Sequence, residues 1–361
     1  MKELERMYAE VLPPDEKAVV AGRRRLLAAA HDAGSVPARG RRRPQIGRGW
    51  RLAAPVGLTA ALTAGVIVAA QGGDPGEGGG PGPITLRPVA APQDLAHNAA
   101  LVAANEPAGK AGPTRWAYLK TVFVPTQEGG GPPLFGAPKK TRTQEMWRRT
   151  DDRQFALTEG GRLRVVNGSK SLPTGVNRMD YPYLLSLPTR PDGLLAQVYK
   201  TVDAEYARSF ANWKKPIPAN ASNRTREKYE LMRKSKPIPP TAEERNARAF
   251  ELITLYMRDA VLPPKIQAAL YGAAAKIPGI RYEAKATDVA GRAGVTLYRV
   301  DNGYLRREII INPRSYGYMG FRVVAIKDHR EAGVPPVKQG QTIGWGALLE
   351  ATFVSGPGQR S

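Results

Sequence analysis

The feature that most constrains this chain is an uncharged run of 19 residues, 52–70, which reads LAAPVGLTAALTAGVIVAA. A helix of this length, at about 1.5 Å per residue, approaches the roughly 30 Å hydrocarbon thickness of a bilayer. Pro55 falls in the first helical turn, where a missing N–H group is harmless. The run therefore predicts a single membrane-spanning helix.

Basic residues are distributed unequally on the two sides of this run. The preceding stretch contains six arginines and no acid, whereas Arg87 is the only Lys or Arg between the run and Lys110. Because cytoplasmic flanks retain Lys and Arg, we expect a cytoplasmic N-terminus and an outer C-terminal part in the cell membrane. The six arginines are Arg39, Arg41, Arg42, Arg43, Arg48 and Arg51.

Two alternatives to an anchor are a buried alanine-rich helix and a signal peptide cleaved near Ala70. A buried helix does not need a collar of arginines, and a signal peptide does not normally follow about fifty residues of chain. An uncleaved anchor fits the pattern better. The chain has no cysteine, which excludes lipoprotein processing, disulfides and thiolate chemistry.

The anchor divides the chain into five predicted segments. They are a cytoplasmic helical segment at 1–38, a basic tether at 39–51, the anchor at 52–70, a Gly/Pro-rich linker at 71–92 and an extracytoplasmic domain at 93–361. Pro13 and Pro14 separate two short amphipathic helices in the first segment. Such helices are too short to fold alone, so they require a membrane face or a protein partner.

The outer domain shows strand patterns, then helix patterns, then strand patterns again. A helix is predicted at 92–105, strands at 116–124, 145–150, 154–158 and 162–166, helices from Leu194, over 241–262 and after Pro264, and further strands between 280 and 354. Thr241 and Glu244 form a capping box at one helix start. This order predicts an α+β fold, with helices packed on one face of a curved, half-barrel-like antiparallel sheet.

No catalytic or metal-binding pattern is recognisable. His31, His97 and His329 are isolated from one another, and the chain lacks a P-loop, a Rossmann glycine pattern and a nucleophile elbow. Adjacent carboxylates such as Asp151 and Asp152 are typical of turns, because neighbouring side chains point in different directions. We therefore expect no enzymatic activity, no metal and no cofactor.

The net charge of +22 indicates an anionic partner. The polar stretch 214–240 combines basic side chains with Tyr229 and follows Trp213, a mixture that can hold an anionic chain. Outside a membrane we expect a lipid headgroup or an acidic wall polymer rather than nucleic acid; an ordinary solvated surface is the alternative. The candidate contact residues are Lys214, Lys215, Arg224, Arg226 and Lys228.

Four parts of the chain carry a resemblance to a known family. They are the proline-broken LPPDEKAVVAGRRRLLAAA, the basic tether with its span, AFELITLYMRDAVLPPKIQAALYGAAAKIPGIRYEAKATDVAGRAGVTLYR, and REIIINPRSYGYMGFRVV. Together they resemble an actinobacterial family of single-pass membrane proteins typically encoded beside extracytoplasmic-function sigma factors. The likeness covers most of the chain and is one of layout and periodicity.

The resemblance implies an anti-sigma-like signalling protein with an extracytoplasmic sensing domain. The residues that would then face a sigma factor are Val11, Leu12, Val19, Leu26 and Leu27. The cytoplasmic segment departs from well-understood anti-sigma factors because it is short and lacks the His/Cys zinc motif of the redox-sensing class. The competing hypothesis is an anchored module that binds a lipid or wall polymer and has no regulatory role.

Overall fold

A computed structural model of the chain describes residues 67–68, 84–106, 115–126, 133–159, 162–168, 178–217, 219, 221–233, 236–330 and 336–360. The predicted cytoplasmic segment, the tether and most of the predicted anchor lie outside these residues. Within the described ranges, no helix combines the length and apolar character that crossing a membrane requires. Two residues of the predicted anchor form strand β1 (Ile67–Val68), which pairs antiparallel with β2 (Ile84–Thr85).

One large antiparallel sheet is the framework of the described domain. Its strands are β3 (Trp116–Phe123), β4 (Leu134–Phe135), β5 (Arg142–Arg149), β6 (Gln154–Glu159), β7 (Arg162–Asn167), β8 (Arg281–Thr287), β9 (Ala293–Asp301), β10 (Leu305–Ile311), β11 (Tyr318–Ala325) and β12 (Gln341–Val354). Their spatial order is β7-β6-β5-β3-β12-β11-β10-β9-β8, and β4 pairs with the start of β12. The sheet is open, because β7 and β8 at its two ends do not pair with each other.

The pairing of β3 with β12 joins two meanders that are far apart in sequence. Eight register pairs connect these strands, from Gly346 opposite Phe123 to Val354 opposite Trp116, with one irregularity between Leu348 and Glu350. The first meander, β3 and β5–β7, and the second, β8–β12, thereby become one continuous sheet. The helices are inserted in the sequence between the two meanders, apart from the helix that precedes β3.

Six helices are described in the resolved ranges. They are α1 (Pro92–Asn105), α2 (Tyr181–Leu185), α3 (Pro191–Lys214), α4 (Asn223–Arg233), α5 (Ala242–Arg258) and α6 (Pro264–Ala275). The predicted capping box is present at α5, where the Glu244 N–H donates to Thr241 Oγ1 and the Thr241 N–H donates to the Glu244 carboxylate. Helices α1, α3 and α6 each begin with a proline, whose fixed φ suits the first turn.

The main hydrophobic core lies between the helices and one face of the sheet. Alternating strand residues such as Leu119, Leu297 and Ile309 point to this side, where they join Phe250 and Ile253 of α5. The predicted α+β class, with a large antiparallel sheet and packed helices, is confirmed. Helices α2 and α4 and the short strand β4 are additions to the predicted elements.

A smaller core on the opposite face of the sheet is covered by the C-terminal residues. It contains Trp116, Tyr118 and Trp147, and the rings of Tyr118 on β3 and Trp147 on β5 are stacked, with centroids 4.9 Å apart. The indole N–H of Trp147 donates to the Gln359 carbonyl at 2.5 Å, and the Arg360 guanidinium donates to both carboxylate oxygens of Glu145. The end of the chain therefore closes this second core.

A row of charged side chains connects α3, α5 and the sheet. In α3, the Glu205 carboxylate accepts from Arg248 Nε of α5 at 2.8 Å, and Arg248 Nη1 donates to Glu251 at 2.9 Å. The other oxygen of Glu251 lies 3.7 Å from Nη1 of Arg307 on β10. Each of these groups therefore faces at least one opposite charge on a neighbouring element.

Two members of the same row, Arg299 and Asp301, are buried. Arg307 Nε donates to Asp301 at 2.9 Å, and Asp301 also accepts from Arg299 on the same strand, β9. Arg299 is only 1% exposed, and its Nη2 lies 2.5 Å from the Glu243 carboxylate at the start of α5. We name these seven residues, from Glu205 to Glu243, the charged row. Removing Arg299 would take from the buried Asp301 one of its two cationic partners.

We expect Arg299→Ala to lower the free energy of unfolding by about 3–5 kcal/mol, because Asp301 would lose a buried partner. Arg281→Ala, which removes an exposed arginine of β8, is the matched control, with an expected change within about 0.5 kcal/mol. Urea denaturation of the full-length chain, followed by tryptophan fluorescence, measures both values. Equal losses in the two variants would contradict a structural role for the charged row.

The pKa of Glu251 generates a second prediction. Burial raises this pKa, but Arg307 and Arg248 outweigh burial and keep it below its ordinary value of 4.5. A carboxyl with a lowered folded-state pKa contributes stability that is present above the unfolded value and lost as the pH falls through the folded value. We expect Glu251→Gln to cost about 1–2 kcal/mol at pH 7 and to weaken the dependence of stability on pH below about pH 4.5. Urea titrations at several pH values test this, and identical pH profiles for both chains would contradict it.

Candidate functional site

The second half of α3 leaves the main core and leads into the predicted anion-contact stretch. The buried residues of α3 are Leu194, Val198, Thr201 and Val202, all in its first half. In the part that follows, 206–240, the described residues include a single buried hydrophobic side chain, Tyr229 of α4. We name residues 206–240 the helical arm. Just before the arm, α3 is bound to α5 through Asp203 and Glu205. The arm itself has little buried surface.

Three aromatic rings form a row along one side of the arm. Tyr206, Phe210 and Trp213 are spaced at i, i+4 and i+7, which places them on one face of α3. The Tyr206 and Phe210 ring centroids are 6.3 Å apart, the Phe210 and Trp213 centroids are 5.9 Å apart, and both pairs are stacked. All three side chains are partly exposed. Sequence reasoning included Trp213 but missed the other two, although the helical spacing was available.

Two lysines lie over this aromatic row. The Lys214 ammonium is 4.4 Å from the Phe210 centroid, and the Lys236 ammonium is 5.9 Å from the Trp213 centroid. Such cation–π contacts hold an ammonium group in place while part of it stays open to solvent. The arm therefore presents ordered cations beside aromatic surface.

The predicted contact residues have different roles in the arm. Lys214 and Lys215 are exposed at the end of α3 and are available to an anion. Arg226 is also exposed, but its guanidinium donates to the carbonyls of Ala219 and Ala221, at 2.9 and 3.1 Å. It therefore closes the loop between the two helices. Arg224 and Lys228 lie on α4, and their side chains are outside the description.

Backbone contacts join the end of α4 to the end of α3. Trp213 Nε1 donates to the Arg233 carbonyl at 3.3 Å, and Arg233 Nη2 donates to the Lys215 carbonyl at 3.1 Å. Arg233 was part of the predicted basic stretch but was not among the candidate contacts. These bonds hold the end of α4 against the end of α3, where Trp213 and the exposed lysines lie.

The arm carries an excess of positive charge, whereas the acidic residues just before it are paired with arginines of α5. Residues 206–240 contain nine Lys or Arg and two Glu. Just before the arm, Asp203 of α3 accepts from both Arg245 Nε and Nη2, at 2.7 and 2.8 Å, and this hydrogen bonding keeps the pKa of Asp203 below its ordinary value. Asp203 and Glu205 are therefore neutralised by arginines of α5. Within the arm, Ile238 is an apolar side chain that is 78% exposed.

The remaining predicted sites lie elsewhere. The predicted sigma-facing residues are outside the described part of the chain; they are Val11, Leu12, Val19, Leu26 and Leu27. Within the described ranges, no cluster of His, Asp and Glu could hold a metal ion. No protein-family model, curated protein or solved structure matches the chain.

Proposed function

We propose that this chain is a single-pass membrane protein whose outer domain binds an anionic surface of the cell envelope through the helical arm. The observation that carries the proposal is the aromatic row with Lys214 and Lys236 over its rings. The 52–70 run and its arginine collar support the anchor, and the open sheet serves as a half-barrel-like scaffold for the arm. In this proposal the outer domain is a sensing or binding module without catalytic activity.

The composition of the arm suits a membrane or polymer surface. Each Lys or Arg near an anionic surface contributes about 1 kcal/mol of attraction at low ionic strength. Aromatic rings favour the interface between water and lipid headgroups, and an exposed apolar side chain such as Ile238 adds contact area there. Phosphate or carboxylate groups are the shared chemistry of lipid headgroups and acidic wall polymers, so the two sources must be separated by experiment.

We expect the double variant Lys214→Glu/Lys215→Glu to bind anionic surfaces at least about thirtyfold more weakly, because the loss of two attractive charges costs about 2 kcal/mol and the two glutamates add repulsion. The full-length chain is placed in zwitterionic nanodiscs and mixed either with vesicles that contain phosphatidylglycerol or with soluble polyglycerol phosphate. Cosedimentation with vesicles and fluorescence anisotropy with the polymer give the two affinities. Loss of affinity for one probe alone identifies the source of the anion.

A matched control is available because the chain contains another exposed lysine pair, Lys139 and Lys140. The variant Lys139→Glu/Lys140→Glu makes the same change in net charge away from the arm. We expect it to retain affinity within about threefold, since screening limits charge effects to about 10 Å at 0.1 M salt. Equal losses in the two double variants would show that only net charge matters, and the arm would not be the binding site.

We propose a second function, anti-sigma-like regulation, for the cytoplasmic segment. Val19 and Leu26 are seven residues apart and lie on one face of the predicted second helix, with Leu27 beside them. A helix of this length is marginal alone, so its apolar face requires a partner. The resemblance to proteins encoded beside extracytoplasmic-function sigma factors favours a sigma factor as that partner.

We expect Leu26→Asp/Leu27→Asp to change the transcription of sigma-dependent genes and to abolish copurification of a sigma factor, because buried apolar contacts would become charged. The control Ala21→Asp/Ala28→Asp adds the same two charges on the opposite face of the predicted helix. In-cell crosslinking and purification of the full-length chain, together with RNA sequencing, measure both effects. Unchanged transcription in the leucine variant would leave the segment as an anchor alone.

A further inference from the structure

The two ends of the large sheet differ in how well they are protected. At one end, β7 pairs with β6 alone among the described residues, in six consecutive register pairs without an irregularity. Five of the six residues of β7 are exposed, all except Val166. An edge strand of this kind offers a regular row of N–H and C=O groups to another chain.

Strand β8, at the opposite end of the sheet, lacks this regularity. Its pairing with β9 is irregular between Glu283 and Ala286. The Glu283 carboxylate accepts from Arg306 Nη2 at 2.8 Å, and Lys285 is exposed on the same strand. Register irregularities and edge lysines oppose the addition of a further strand. The sheet is therefore protected at β8 and open at β7.

An apolar row reaches the β7 edge on the face of the sheet that carries the second core. Tyr118, Trp147, Ala156 and Val165 lie opposite one another on the successive strands β3, β5, β6 and β7. The first three are buried in the second core, whereas Val165 is 47% exposed. The row therefore ends at a half-exposed valine, and an apolar side chain of an added strand would continue it.

Leu163 extends the same apolar edge. Alternation along the strand places it on the face of Val165, and it is 43% exposed. It stays exposed although the C-terminal residues pass close by, since a Cβ atom added to Gly358 would lie 3.1 Å from Leu163 Cδ2. Four large hydrophobic side chains of the described residues are exposed, and two of them share this strand and this face. A pair that borders a core in this way indicates a contact surface.

The other face of the β7 edge is basic. Arg162 and Arg164 lie on this face, and the exposed Arg153 lies at the end of the strand, where its carbonyl accepts from the Gly168 N–H at 2.8 Å. Glu159, opposite Arg162, is the only acid of β6 and β7. The acids of β5 and of the turn after it are paired with arginines of their own; the pairs are Glu145 with Arg360, Asp151 with Arg149, and Asp152 with Arg148.

The charge of this edge decides which kind of strand fits it. A second copy of the chain would bring the same arginines to the same edge, and like charges across a strand pair are destabilising. A strand that carries carboxylates on this face would instead meet opposite charges. The edge therefore favours an acidic strand over a second copy of β7.

From these observations we propose that β7 binds an extended peptide segment in which apolar and acidic residues alternate, as an additional strand of the sheet. The main chain of the peptide pairs with β7, its apolar side chains lie beside Leu163 and Val165, and its carboxylates lie on the face of Arg162. In such strand addition the main-chain hydrogen bonds provide affinity and the side chains provide selectivity. The site shares no residue with the helical arm, and the proposal does not depend on anion binding there.

The probe is a fluorescein-labelled heptapeptide of alternating glutamate and valine, and its binding to the full-length chain in zwitterionic nanodiscs is measured by anisotropy. A second peptide has proline in place of the central valine, and a third has lysine in place of every glutamate. We expect the first peptide to bind at least about tenfold more tightly than the other two, because proline removes a main-chain donor and lysine reverses the charge. The proline peptide also separates strand addition from attraction to the basic arm, which would hold both acidic peptides equally.

Variants of β7 test its two faces. We expect Leu163→Thr/Val165→Thr, which keeps the charge and the strand propensity, to weaken binding of the glutamate peptide about tenfold. The control Phe135→Thr, at another exposed apolar side chain, should bind as the parent chain does. We expect Arg162→Glu to weaken binding about fivefold, whereas Lys285→Glu makes the same change in net charge on β8 and should have little effect.

Hydrogen exchange of the full-length chain locates the bound peptide, and thermal unfolding confirms that each variant is folded. We expect the peptide to slow exchange of the N–H groups at 162–167 and to leave those at 281–287 unchanged. Four results would overturn the proposal: no binding up to about 1 mM, equal affinities for the glutamate and proline peptides, equal losses in the threonine variants of β7 and Phe135, or unchanged exchange at β7. Protection of β7 that increases with chain concentration without peptide would also overturn it, since a second copy would then occupy the edge.

Discussion

The charged row between Glu205 and Glu243 is the interaction on which the position of the helices depends. It alternates acid and base across α3, α5, β9 and β10, so each element is bound to the next by opposite charges. A hydrophobic surface alone would allow α5 to slide on the sheet, because apolar contact is non-directional. The ion pair between the buried Arg299 of β9 and Glu243 at the start of α5 restricts that freedom, since a shift of α5 would separate the two charges.

The same row explains why the arm can depart from the core. Glu205 and Asp203 are bound by Arg248 and Arg245 of α5 just before α3 leaves the core, so this part of α3 is held against α5. Because these two acids are paired with α5, they do not neutralise the cations of the arm, which retains its positive charge. Lys214 is ordered by the Phe210 ring rather than by a carboxylate, which keeps its charge available to an external anion.

Periodicity was sufficient to predict most of the fold. The limits of α1 and the capping box of α5 follow from local sequence, and the strands of both meanders follow from alternation against one buried face. Helix α4 was missed because its sequence, NRTREKYELMR, has no continuous apolar stripe, and it is formed against α3 through single contacts such as Arg233 to Lys215. Arg226 was predicted to contact an anion, but loop carbonyls bind its guanidinium, and pattern reasoning cannot place such partners.

The arm and the charged row work in opposite electrostatic regimes, and this difference separates their roles. Charges on the arm are exposed, so salt at physiological concentration screens them beyond about 8 Å and binding there depends on many weak contacts. Arg299 and Asp301 of the charged row are buried, where an ion pair is little affected by salt and strongly dependent on geometry. A broad polyanion therefore suits the binding proposed for the arm, whereas the charged row fixes helices on the sheet. Helix α5 connects the arm with the charged row, because its Arg245 and Arg248 bind Asp203 and Glu205 of α3 just before the arm begins.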